Sequence, residues 1–170
     1  MVLWRTEPAA SDWEWAPELD IRVARTRTAA DHDAALEIRR RVFAQEQHVT
    51  DLRVSDPDDT RSIIALARVM TDHGLEPVGT GRLTLSPLTG GPALVAWVAT
   101  LAEWRGHGVG HEVMAFLLHE AEKAGAHQVV LAAQAHAESF YRRLGFTAAG
   151  PLYDVRGIPH LRMTWQKRRR

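Results

Sequence analysis

Cysteine is absent from the 170 residues, which removes disulfides, thiolate metal sites and a cysteine nucleophile together. A surplus of charge is also missing: 21 Lys and Arg stand against 21 Asp and Glu. Broad nucleic-acid binding runs on excess Lys and Arg, so no nucleic-acid partner is expected. The one strongly basic run, Lys167 to Arg170, reads as a solvated terminus. Long apolar runs are lacking too. The longest stretch without charge, residues 83–102, is broken by Ser86, Pro87, Thr89, Gly90, Gly91 and Pro92, whereas a membrane span needs about 20 mainly apolar residues. No membrane association is expected. The opening MVLWRTEPAA has neither a basic n-region nor a continuous apolar h-region, so the expected compartment is the cytoplasm. What is present, 45% hydrophobic and 25% charged residues, describes a globular chain whose length buries roughly 68–70% of its surface without a staple.

Residues 1–20 read as an arm. They hold Trp4, Trp13 and Trp15 beside Pro8 and Pro17, with no helical or strand period. Indoles so concentrated seek a surface, either the body of the same chain or a second copy in a homodimer. The domain proper is expected over 21–170. Residues 21–26 alternate as a short strand, and Thr28 with Asp31 forms a capping-box start for a helix that ends near Gln45. An acidic loop with Asp51, Asp56, Asp58 and Asp59 follows and reads as solvated, with an acidic rim that attracts cationic substrates as the alternative. Strands are expected over 62–71 and 78–85, separated by the turn-rich DHGLEP, and a central strand over 94–101. Val109, Val113, Met114, Leu117, Leu118 and Ala121 mark a helix stopping at Gly125. Residues 129–133 read as a buried strand, 137–144 as a short helix, 146 onward as a strand and 160–165 as a last strand after Gly157-Ile158-Pro159. The pattern predicts an α/β (α+β) domain with a mixed sheet.

The strongest local signal is the order strand, then Arg105-Gly106-His107-Gly108-Val109-Gly110, then amphipathic helix. Glycines at a helix mouth let backbone N–H groups approach a phosphate, and the positive end of the helix dipole favours the anion. The run is not a P-loop, because no Gly-Lys-Ser/Thr follows, and G-x-G-x-G differs from the dinucleotide G-x-G-x-x-G. Other constellations fail. His107 and His111 precede Ala115 where a zinc helix needs its second His. Asp56, Asp58 and Thr60 begin like an EF-hand loop, but Arg61 and Ala67 replace its Gly and Glu. No metal is proposed. Without a G-x-S-x-G, a serine nucleophile has no support either.

Some thirty residues downstream lies Gln134-Ala-His-Ala-Glu-Ser-Phe140-Tyr141, closing with Gly145-Phe146. Here the chain resembles the GNAT acetyltransferase superfamily. Arg105, Gly108 and Gly110 match its pyrophosphate signature, and Tyr141, Gly145 and Phe146 match its later helix. The resemblance extends to the ElaA-type branch through Val42-Phe43-Ala44-Gln45-Glu46-Gln47, Ala133-Gln134, and Gly157-Ile158-Pro159-His160 with Met163, and it covers roughly residues 36–166. It implies a mixed, mainly antiparallel sheet flanked by helices, with acetyl-CoA as acyl donor. Backbone groups of Val98, Ala99 and Thr100 would pair with the pantetheine arm, amides from Arg105 through Gly106, His107, Gly108 and Val109 to Gly110 would hold the pyrophosphate, and the Gln134 amide would reach the cofactor arm.

Acetyl transfer to an amine requires two proton events, loss from the ammonium and return to the departing thiolate. Tyr141 is the expected acid. For the base, His160, Glu46 and a water held by either stay open; Glu46 could instead bind the ammonium, and either residue could serve only to tie its loop. The expected activity is direct transfer to a primary amine of a small molecule. Two rivals are a protein or peptide acceptor, and a non-catalytic module that binds acetyl-CoA to regulate a partner.

Overall fold

The computed structural model describes residues 19–167. The expected arm at 1–20 lies outside the described residues apart from Leu19 and Asp20, and the homodimer expectation built on its Trp residues lies outside with it. Eight strands form one sheet among the described residues: β1 (Ile21–Arg25), β2 (Ile63–Thr71), β3 (Gly74–Thr84), β4 (Ala93–Thr100), β5 (Gln128–Gln134), β6 (Thr147–Ala148), β7 (Tyr153–Val155) and β8 (Ile158–Gln166). Their spatial order is β1-β2-β3-β4-β5-β8-β6, with β7 also beside β8. Every pairing is antiparallel except β4 with β5. Three helices pack on it: α1 (Ala29–Arg39), α2 (Val109–Lys123) and α3 (Glu138–Arg143).

Thr28 caps α1 as its sequence predicts. Its hydroxyl accepts from the Asp31 amide at 3.1 Å, and Asp31 accepts in return from the Thr28 amide at 3.1 Å. The helix then widens into a π-helical turn over Arg40–Gln45. β2 alternates between the two faces: Ile64 and Leu66 join Ala35, Ile38 and Val42 of the α1 side, whereas Ala65, Ala67 and Val69 join Val109, Val113, Met114 and Leu117 of α2. A strand covered on both faces buries nearly every side chain, which is why this segment reads as a continuous apolar run. The approach of α2 depends on two glycines of β3. A Cβ at Gly79 would stand 2.6 Å from Val109 Cγ1, and one at Gly81 would stand 2.9 Å from both Val113 and Leu117.

Three boundaries differ from the sequence expectation. The hairpin between β2 and β3 turns on Asp72-His73 alone, since Thr71 already pairs with Gly74. Pro77 stands beside the register shift, one of the places where a sheet tolerates proline. After Phe146 the strand is interrupted by Gly150 and Pro151 and splits into β6 and β7. β8 begins at Ile158, so Ile158 and Pro159 belong to a strand instead of a turn.

The acidic loop departs further, for it is not simply solvated. Residues Pro57–Arg61 form a 3-10 turn capped by Asp56. Asp59 receives two hydrogen bonds from the fully buried Arg39, at 2.9 and 3.1 Å, and one from the buried Arg82 at 3.3 Å. Asp56 pairs with Arg82 at 3.0 Å. Burial pushes the Asp59 carboxyl up, but the bonds from Arg39, the Asp56 amide and Arg82 outweigh it and hold the group below its ordinary value. Asp31 is held lower still by the Arg27 and Thr28 amides and by Arg68. Carboxylates lowered in the folded state contribute stability that is present above the unfolded value, about pH 4, and lost as pH falls through the folded values. The melting temperature is therefore expected to hold between pH 7 and 5 and to drop below roughly pH 4; a midpoint unchanged at pH 2.5 would contradict it.

Candidate active site

Beyond the pair Val95 and Leu131, β4 and β5 part company. β4 continues to Thr100 and β5 to Gln134, so their facing backbone edges run on unpaired on either side of a wedge. A bulge in β4 coincides with the parting. Thr80 pairs with Ala99 but Arg82 pairs with Ala96, leaving Trp97 and Val98 opposite Gly81 alone. Trp97 carries the extra residue's twist at φ 56°, a left-handed conformation uncommon for any residue with a Cβ and more so for a bulky one. The expected donor-binding strand 98–100 lies beyond this bulge. Val98 turns its side chain toward α2 and Ala99 toward α1, so both offer only backbone to the wedge. The Thr100 carbonyl already accepts from Arg105 Nε at 3.0 Å.

The glycine turn follows directly. Gly106 and Gly108 have φ 78° and 88° with open space where a Cβ would stand, so backbone conformation is what requires glycine there. Gly110 is needed for closeness: its Cβ would lie 3.2 Å from Phe140 of α3. Gly108 is the N-cap of α2 and supplies no side-chain cap, leaving the first-turn N–H groups of a fifteen-residue helix directed outward. Val109 is buried against Gly79, and the exposed His107 lies edge-on to Trp104 at 6.5 Å.

α3, whose Phe140 lies against Gly110, also carries Tyr141, only 8% exposed. Its ring is held edge-on by Phe140 at 5.0 Å and by Phe146 at 5.8 Å. Burial pushes the phenol well above the usual tyrosine value, and no hydrogen bond from a described residue offsets it.

At the mouth, Gln134 of β5 stands in register with His160 of β8. His160 Nδ1 lies 2.8 Å from the Ile158 carbonyl. A carbonyl only accepts, so this contact places a proton on Nδ1, and in the neutral imidazole the lone pair then belongs to Nε2. Tyr153 of β7 flanks the imidazole at 6.0 Å. Glu46 is engaged by Arg105, which donates to both its carboxylate oxygens at 3.0 and 2.8 Å. Gln134 and Gln47 exchange hydrogen bonds at 2.9 and 3.1 Å. A further ion pair, Arg41 with Glu103 at 2.8 Å, joins these two contacts in tying the π-helical turn and the two residues after it to β4's exit, Arg105 and β5. The structure thus brings Arg105 to Glu46 and Gln134 to His160, and it joins Tyr141 to neither pair by a hydrogen bond among the described residues.

The sequence alone gives Gln47 and Phe140 no role, and Trp97 reads as one more residue of the apolar central strand 94–101. Gln45-Glu46-Gln47 at a helix end is a signal for Gln47, since three polar groups there need partners. Trp97 had none, because a bulge leaves an apolar run looking unbroken. Among the described residues no group of three or more His, Cys, Asp or Glu side chains is gathered as a metal cluster, and no helix is long and apolar enough to cross a membrane.

Residues 67–167 match the family model for the acetyltransferase (GNAT) domain. The Bacillus subtilis protein YyaT is 32% identical over 144 residues, 85% of this chain and 95% of that protein. Escherichia coli ElaA is 31% identical over 147 residues, 76% of this chain and 84% of its own length; its crystal structure superposes with a TM-score of 0.70 over 86% of this chain and 98% of that one. An acyl-CoA N-acyltransferase from Pseudomonas aeruginosa superposes with a TM-score of 0.70 at 29% identity, over 86% and 98% of the two chains. Parted strands, a glycine-lined helix mouth and these likenesses coincide on one stretch of sequence: the chain belongs to the GNAT family of acetyltransferases, with ElaA-type proteins among its relatives.

Proposed function

We propose that the chain transfers the acetyl group of acetyl-CoA directly to the primary amine of a small molecule, with no covalent intermediate on the protein. The observation that carries this reading is the wedge between β4 and β5, with a glycine helix mouth and a partnerless phenol on α3, the helix that meets it at Gly110. The residues fit a long donor with a diphosphate. Unpaired edges of residues 98–100 and 132–134 suit an extended amide-bearing arm, the first-turn N–H groups of α2 suit its phosphates, and Gly110 keeps the groove floor open beside Phe140. When bound, acetyl-CoA supplies an acyl group activated as a thioester.

The chain's own residues supply the proton traffic. His160 Nε2, freed by the Nδ1 bond to Ile158, is positioned to take the proton of the arriving ammonium. Glu46 is less suited to that work, because both carboxylate oxygens already hold Arg105; it orients Arg105 and adds negative charge near the mouth. The Tyr141 phenol, raised by burial, stays protonated at working pH. Desolvation raises the proton affinity of a thiolate in the same space too, so Tyr141 donates a hydrogen bond to sulfur as its charge develops and then passes it the proton, regaining one from solvent. Small acceptors are favoured because the Glu46–Arg105 and Gln47–Gln134 contacts narrow one approach.

Counting released CoA thiol over a panel of amines tests the reading, and a protein without cysteine adds no background. Turnover with one class of small amine is the expected result. Acetylated peptides detected by intact mass, with no turnover on small amines, would move the acceptor to a polypeptide. Binding of acetyl-CoA with no thiol release from any acceptor would leave a non-catalytic module and overturn transfer.

A further inference from the structure

The site has a foundation on the α1 face of the sheet. Trp97, whose left-handed conformation makes the bulge, is gripped by three elements: the Arg39 guanidinium of α1 lies over its ring at 5.0 Å, Phe43 of the π-helical turn meets it edge-on at 5.3 Å, and its indole N–H faces Asp56 of the acidic turn. Arg39 is in turn fixed by Asp59 through two hydrogen bonds and by the Val54 carbonyl at 3.0 Å. Arg82, which pairs with Ala96 immediately before the bulge, is held by the same Asp59 and by Asp56. Two buried guanidinium groups thus share two carboxylates, and the Nε of each has no hydrogen-bond partner among the described residues. Asp59 is the only one of the four that touches both arginines from a single side chain while also closing the capping box with Asp56. Buried ion clusters are weak contributors to stability compared with apolar packing. This one sits where a strained residue must be held, which gives it a different use.

We propose that Asp59 is a positioning residue for acetyl-CoA binding: by aiming Arg39 over Trp97 it holds the β4 bulge, and the bulge sets residues 98–100 at the angle the donor arm requires. The proposal rests on the reading above that this edge receives acetyl-CoA. It names a role for the acidic turn, which touches neither the donor groove nor the mouth.

Neutralising the carboxylate without changing its shape, Asp59→Asn, removes the charge and one of the two acceptors that hold Arg39, leaving it the Val54 carbonyl and a single amide oxygen to be shared with Arg82. The dissociation constant for acetyl-CoA is expected to rise about tenfold, the upper range of coupling through a packed network, while kcat at saturating donor stays within about twofold. Near-UV circular dichroism should change with the Trp97 environment. Asp59→Glu, which keeps the charge, should recover most of the affinity. The decisive control is the same substitution in a Trp97→Gly background. Glycine adopts the left-handed conformation unaided, so Asp59→Asn should then have less than about a twofold effect on affinity. An equal loss in both backgrounds would mean general destabilisation and overturn the proposal, as would a folded Asp59→Asn protein of wild-type affinity. Should Asp59→Asn not fold, Arg39→Lys provides the test: it keeps the ion pair but loses the planar cover over the indole, and unchanged affinity there would equally overturn the role. A wild-type protein that fails to bind acetyl-CoA would instead overturn the proposed function itself.

Discussion

Tyr141→Phe lowers kcat by about 10²-fold or more and leaves acetyl-CoA affinity within about twofold. The substitution is unusually clean in this protein. The ring keeps its edge-on contacts with Phe140 and Phe146, and removing a hydroxyl with no protein partner among the described residues strands no other polar group. Stability should therefore change little, and a kinetic loss can be assigned to the missing donor. Because burial pushes the phenol above its usual value, the wild-type rate should show no alkaline fall from Tyr141 up to pH 9.5. Initial rates of thiol release, measured for both proteins across pH 6–9.5, check this. Full turnover in the Phe variant would remove Tyr141 from the chemistry and leave solvent as the proton source.

Gly108→Val should act on binding instead of chemistry. At φ 88° a β-branched residue is strained although nothing crowds its Cβ, a cost of roughly 1–2 kcal/mol that the turn relieves by rotating to negative φ. Rotation there redirects the first N–H groups of α2, since Gly108 is the helix cap. The core beneath, where Val109 packs on Gly79, sits on the other side of the helix and should survive. Acetyl-CoA affinity is expected to fall by at least an order of magnitude, equivalent to about 1.4 kcal/mol of lost binding, with a far-UV spectrum like that of wild type. Wild-type affinity would show that the turn does not hold the donor.

Much of this architecture was legible before any coordinates. The Thr28–Asp31 capping box, the 3.6-residue stripe of α2 and the Gly108-x-Gly110 mouth each arise from interactions within a few residues, so their spacing carries the signal. What escaped the sequence depends on partners far along the chain. Asp59 is engaged by the buried Arg39 and Arg82, 20 and 23 residues away, and so looks like any acid beside proline in the sequence. Pro77 reads as a turn residue, yet it pairs with Arg68 beside a register shift, an irregularity that depends on the facing strand. Glu46 reads as a base, an ammonium ligand or a loop tie, and its partner Arg105, 59 residues on, is written nowhere near it. Trp97 shows the same effect most strongly, because the departure of β4 from β5 is a property of two strands and is written in neither.

The central claim is that the α2 mouth and the parted β4 edge bind acetyl-CoA. Its most direct test is the melting temperature of wild-type protein with saturating acetyl-CoA, set beside CoA, NADPH and ATP and repeated with Gly108→Val. A donor at 100 times its dissociation constant adds about 2.7 kcal/mol, or roughly 5–10 °C for a chain of this size. The account predicts a rise of that order with acetyl-CoA and CoA alone, absent or much reduced in Gly108→Val. No rise with either in well-folded wild-type protein would contradict it.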